Sequence, residues 1–267
     1  MPSLASIACA RSEAALLTAW AILREFQDDI VLLGGLVPRY LCVNREEQMH
    51  PVTMDVDLGI ALGLSSGVYD TTRTRLAKSG FVWKGQRFVK EFDGVGLFLD
   101  LITDRPSTDL PTTAMVDDIP VSAVLGVARA LEVVREVSLT GMDLYGANVT
   151  EQIRVCEAGP YICLKLLAYA NRAKSKDVFD LVRCVKDYDG GPSEAARLFQ
   201  SEQGFNMAFD SAMEVLDARF ADAGSKGPMQ YVDFCYGGLR DGGSDLDYHK
   251  AQAANETVDV ARLLKNT

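Results

Sequence analysis

The chain has 267 residues, 48% hydrophobic and 24% charged, with a net charge of −10. That composition supplies a real apolar core and excludes a disordered or collagen-like chain. The excess of acid excludes a protein that grips nucleic acid through its overall field, so any such binding must use a local basic patch. Residues 12–26 read as an amphipathic helix with Ser12 as its N-cap. The N-terminal segment carries Arg11 and Glu13 and lacks a basic start, so it is expected to be a helix and not a signal peptide. "DIVLLGG" (29–35) reads as a short buried strand ending in glycine, and "LVPRYLCV" (36–43) as a short helix with Pro38 in its first turn. A polar loop (44–51), a strand (52–62) and a helix closed by glycine (65–80) follow. "FVWKGQRFVKEF" (81–92) and "VGLFLDLITD" (95–104) read as antiparallel strands joined by Asp93-Gly94.

Residues 105–120 read as a polar loop rich in Pro and Thr, and 132–141 and 151–158 as strands. From Pro160 the period changes, and 160–188 reads as helical. Residues 236–247 form a glycine-rich linker before a last helix near 248–264. The expected fold class is α+β, with a mixed sheet flanked by helices in residues 1–158 and a helical part in 159–267. No run of about eighteen apolar residues occurs, so no membrane span is expected. The six cysteines form no CxxC pair and read as reduced, mostly buried thiols, which suggests a cytoplasmic protein. With only two histidines, His50 and His249, any metal must be held through oxygen, which points to Mg²⁺ or Mn²⁺.

One unit combines these features. A strand runs into Gly34-Gly35, a short helix follows, and the next strand carries Asp55 and Asp57. Strand side chains alternate with period 2, so the two aspartates share a face. Like charges so close are costly unless something positive neutralises them. A third acid, Asp100, lies on the later antiparallel strand in "LFLDLIT". Three carboxylates on neighbouring strands can hold divalent cations through oxygen. Glycines without side chains admit a phosphate close to the backbone, and a helix start offers N–H groups to it.

In this order the residues resemble the nucleotidyltransferase fold of the DNA polymerase beta superfamily: glycine-glycine or glycine-serine, then Asp-x-Asp, then a third acidic strand residue. Gly34, Gly35, Asp55, Asp57 and Asp100 match that signature. The spacing from Gly35 to Asp55 is longer than is usual in the family, and Gly35 stands where many members use serine to touch phosphate. The helical half is similar to a narrower group, the AbiEii-type nucleotidyltransferases that act as toxins in toxin–antitoxin and phage-defence pairs. The similarity rests on Lys165 and on "KDVFDL" (176–181). It implies that Lys165 binds the triphosphate and that Lys176, Asp177 and Asp180 complete the nucleotide site. The plainer reading of these last residues is exposed Lys–Asp pairing on a helix.

The resemblance implies a Mg²⁺- or Mn²⁺-dependent enzyme that moves a nucleoside monophosphate from an NTP to an acceptor hydroxyl. The acceptor implied is RNA, tRNA in particular, with a cognate antitoxin protein as a further partner. The acidic balance favours a small cationic acceptor such as an aminoglycoside, and a non-catalytic nucleotide-binding protein is a third reading. If RNA binds, the basic residues from Arg172 to Lys186 are where it must do so. "GGLRDGGSD" (237–245) lacks the context of a phosphate loop, and Cys156, Cys163, Trp20 and Trp83 read as core.

Overall fold

Alternation of apolar residues along short strands builds one mixed sheet in the first part of the chain. The computed structural model describes residues 4–43, 55–61, 71–92, 94–116, 119–239 and 243–267. It divides into two units, Met1–Tyr40 with Glu46–Glu157 and Leu41–Arg45 with Ala158–Thr267. The strands of the first unit are β1 (Ile30–Leu33), β2 (Asp55–Ile60), β3 (Val82–Trp83), β4 (Phe88–Phe92), β5 (Val95–Asp104), β6 (Thr113–Val116), β7 (Ile119–Val124), β8 (Val134–Met142) and β9 (Asn148–Cys156). Their order is β3-β4-β5-β2-β1-β9-β8, with β7 also paired to β5 and β6 to β7. The β2–β5, β5–β7 and β1–β9 pairings are parallel and the remainder antiparallel. Val56, Leu58 and Ile60 of β2 are buried, as are Leu97, Leu99 and Leu101 of β5. Such strands are held by the apolar face they bury, at roughly 25 cal/mol per Å² of apolar area.

The helices of this unit are α1 (Leu4–Ile22), α2 (Pro38–Leu41), α3 (Thr72–Lys78) and α4 (Val127–Glu132). In α1, Leu16, Leu17 and Trp20 are fully buried, in agreement with a core role for Trp20. Trp83 is half-buried, with its ring 5.0 Å from that of Phe88. α1 begins at Leu4, upstream of the expected start, so Ser12 lies inside the helix, buried, and is not its N-cap. The upstream "LASIACA" is made of good or tolerable helix formers and nothing in it stops the helix. The expected strand over 81–92 is two strands, because Gly85 adopts φ +84° and the chain turns between Trp83 and Phe88. Residues 105–120, expected as a loop, contain β6 and the start of β7, and α4 was not expected at all. The six apolar-rich residues of α4 are too few for periodicity to distinguish helix from strand.

The second unit is helical: α5 (Ala158–Arg172), α6 (Ser175–Lys186), α7 (Pro192–Gln200), α8 (Phe209–Arg219), α9 (Lys226–Tyr236) and α10 (Gly243–Asn266). Tyr161, Leu166, Tyr169, Leu181, Phe199 and Phe220 form much of its core. Residues 160–188 are two helices and not one, broken at Ala173, whose φ is +48°. A non-glycine residue there costs about 1–2 kcal/mol. The break is tied down by Gln230, whose Nε2 donates to the Ala173 carbonyl at 2.8 Å while its Oε1 accepts from the Tyr169 hydroxyl at 2.7 Å. No described helix is long and apolar enough to cross a membrane.

Candidate functional site

Register brings the acids together. Asp57 of β2 lies directly opposite Asp100 of β5 in the parallel pair, and Asp55 lies opposite Phe98. Asp55, Asp57 and Asp100 are each only partly buried, whereas their strand neighbours Val56, Leu58, Leu99 and Leu101 are buried. The carboxylates therefore occupy the open face of the sheet, as period-2 alternation requires. β5 is antiparallel to β4, as expected, and parallel to β2.

Gly34 is held against this face. It follows Leu33, which pairs with Asp57 across β1 and β2. Its φ is +71°, and a Cβ added there would lie 1.8 Å from Asp57 Oδ2. Both the backbone conformation and the close carboxylate demand glycine. Gly35 follows in a 3₁₀ turn spanning Gly34–Leu36, and the Val37 N–H donates to the Gly34 carbonyl at 3.4 Å. Pro38 opens α2 without an N–H, so few amides remain there for an anion. Gly34→Ala is expected to cost about 1–2 kcal/mol from φ alone. It should also push the Asp57 carboxylate aside and lower any activity of this site about 100-fold, the scale of a misplacement near 1 Å. Thermal melting and a rate measurement on the same variant check both parts.

One residue of this site was missed in the sequence. Arg87, just before β4, reaches Asp55 Oδ1 with Nη1 at 3.3 Å and Asp100 Oδ2 with Nη2 at 2.5 Å. Its guanidinium also lies over the Phe98 ring, 4.9 Å from the centroid. The signal was present: the β4–β5 pairing runs Phe92↔Val95 to Phe88↔Leu99, and one further step sets Arg87 opposite Asp100.

Hard carboxylate oxygens on one sheet face are the right donors for Mg²⁺ or Mn²⁺. Asp55, Asp57 and Asp100 are donors of that type on neighbouring strands. Among the described residues no group of three or more such side chains is drawn together tightly enough to hold an ion, and the positive charge between Asp55 and Asp100 is that of Arg87.

The helical residues singled out in the sequence form a network within the second unit. Lys165 of α5 is buried, with Nζ 2.7 Å from Asp180 Oδ2 and 3.4 Å from Asp177 Oδ1. Both aspartates are buried on one face of α6, so both, and not one of the two, meet the lysine. Arg172 grips Asp177 through Nε at 2.7 Å and Nη2 at 2.6 Å, and Lys176 reaches Asp180 at 3.3 Å. Arg183 is paired with Asp187 and Lys186 with Glu256. Most of the positive charge concentrated in 165–186 is thus matched by acids of the same unit, which weakens it as an RNA-binding patch.

Burial alone would raise the Asp177 carboxyl, but the Arg172 hydrogen bonds and the Lys165 charge together hold it below its ordinary value of 3.8. A carboxyl depressed in the folded state contributes stability that is present above that ordinary value and lost as pH falls through the lower folded one. Arg172→Gln removes the main lowering cause. It should therefore shift the acid loss of stability to higher pH, measured as urea midpoints between about pH 2 and 6.

Cys42, Cys156, Cys163 and Cys184 are buried cysteines. Burial pushes the Cys163 thiol well above its ordinary value, as expected for an inert core cysteine. No protein-family model matches the chain, and neither does any curated protein sequence.

Proposed function

We propose that this chain is a metal-dependent nucleotidyltransferase, and the observation that carries the proposal is the β2–β5 register. It sets Asp57 against Asp100, with Asp55 on the same open face and Gly34 packed under the Asp57 carboxylate. Two adjacent like charges are expensive to maintain, and a cation-dependent reaction gives them a use. Asp55, Asp57 and Asp100 would hold Mg²⁺ or Mn²⁺, which when bound stabilises charge on the attacking and leaving oxygens. An acceptor hydroxyl oxygen attacks the α-phosphorus of an NTP, the bond to the β-phosphate breaks, and pyrophosphate leaves. Asp100 ligates the ion that activates the acceptor or takes the hydroxyl proton itself, and Gly34 leaves room for the Asp57 carboxylate.

The resemblance to the AbiEii-type sequences would give Lys165, Lys176, Asp177 and Asp180 to the nucleotide, but Lys165 is buried against Asp177 and Asp180 within the second unit, so the proposal rests on the three carboxylates alone. RNA is the acceptor that this resemblance supports. The net charge of −10 supports the second reading, a small cationic acceptor of the aminoglycoside type. Each labelled NTP is incubated with the protein, Mg²⁺ and either total RNA or an aminoglycoside panel. Transfer of label to one acceptor class decides between the readings. Absence of transfer to both, with Mn²⁺ also tried, removes the proposal.

A further inference from the structure

Arg87 is placed by two independent restraints. Its two Nη groups divide between Asp55 and Asp100, on different strands, so the guanidinium spans the pair. Phe98, the register partner of Asp55, supplies a ring beneath it. The hairpin fixes the approach: the Lys84 N–H donates to the Arg87 carbonyl at 2.9 Å across the turn that carries Gly85. A planar fork of this kind matches carboxylates, and stacking on the ring limits the conformations it must give up. Asp57, by contrast, is set against Gly34, and no hydrogen bond from Arg87 reaches it.

We infer that Arg87 is a resident counter-cation that competes with a divalent ion for Asp55 and Asp100. It is a positioning residue: it offsets part of the Asp55 and Asp100 charge while no metal is bound and keeps metal affinity low. This inference rests on the nucleotidyltransferase reading, since it assigns the same three carboxylates to the cation. Its chemistry is simple competition. A guanidinium and a divalent ion cannot both take the same lone pairs, and removing the guanidinium removes both the occupant and a like charge beside the incoming ion. Arg87 is a third exposed, on a hairpin at the sheet edge, so replacing it leaves the core intact.

The test measures binding, not turnover. Free Mn²⁺ is followed by its electron paramagnetic resonance signal as protein is added at fixed ionic strength, with no nucleotide present. Arg87→Gln is expected to bind Mn²⁺ at least about tenfold more tightly than the wild type, and Arg87→Lys, which keeps the charge, to stay within about threefold of it. Asp57→Asn should weaken binding in every background. Wild type and Arg87→Gln binding Mn²⁺ equally, or the variant binding more weakly, overturns the role of Arg87 and leaves the metal site standing. No binding by either protein overturns both. Circular dichroism of Arg87→Gln confirms that a folded protein was compared, and the lysine variant separates loss of charge from loss of shape.

Discussion

Lys165→Met is expected to destabilise the helical unit by about 3–5 kcal/mol, the cost of removing one partner from a buried ion pair. The lysine, Asp177 and Asp180 side chains are only 6%, 2% and 3% exposed, so water cannot replace the lost ammonium. Asp177 would keep Arg172, whose side chain is half exposed, but Asp180 would keep only Lys176 at 3.3 Å. Tyr161 adds to the cost. Its hydroxyl is buried without a hydrogen-bond partner among the described residues, and its ring lies 5.7 Å from Lys165 Nζ. Burial first, and then the Asp180 charge, hold its phenol well above its ordinary value, so it stays neutral beside the two carboxylates. Urea denaturation measures the loss. The double variant Lys165→Met, Asp180→Asn should recover part of it, with a coupling of about 0.5–3 kcal/mol. A Lys165→Met midpoint equal to that of the wild type would show that the network does not hold α5 to α6. A rise in the KM for NTP, which the family resemblance implies for this lysine, has to be read well below the variant's melting temperature.

Asp57→Asn is expected to lower nucleotidyl transfer at least about 1,000-fold, or roughly 4 kcal/mol of transition-state stabilisation. It should also abolish thermal stabilisation by Mg²⁺. The variant keeps the shape of the side chain, and Asp57 is only partly buried, so the fold should survive. Ligand linkage sets the size of the metal effect: at tenfold above its dissociation constant a bound ion adds about 1.4 kcal/mol. That stabilisation should be larger in Arg87→Gln than in the wild type, because one competing cation is then gone. Single-turnover rates and melting curves with and without Mg²⁺ measure both effects. A wild-type melting curve indifferent to Mg²⁺ and Mn²⁺ would sink the assignment of these carboxylates.

Local pattern carried a large share of this protein. Period-2 alternation alone put Asp55 and Asp57 on one face, and "GG" after a buried strand marked the turn where Gly34 adopts φ +71°. The antiparallel pairing of β4 with β5 was legible from the Asp-Gly signal between the two runs and, read to its end, gives the pairing of Arg87 with Asp100. These features depend on residues near in sequence, where turn chemistry and strand period act directly. Three others were decided only by tertiary structure. The parallel register of β2 and β5 joins Asp57 to Asp100 across a long connection, and no local signal specifies which distant strand a given strand will meet. The break at Ala173 opposes local preference and holds through Gln230 of α9, with three helices between them in the chain. Lys165 was expected from the family resemblance to bind a triphosphate, yet it is buried against Asp177 and Asp180. Whether a charge faces water or a partner depends on what packs over it, and that is a property of the assembled helices, not of the stretch that contains it.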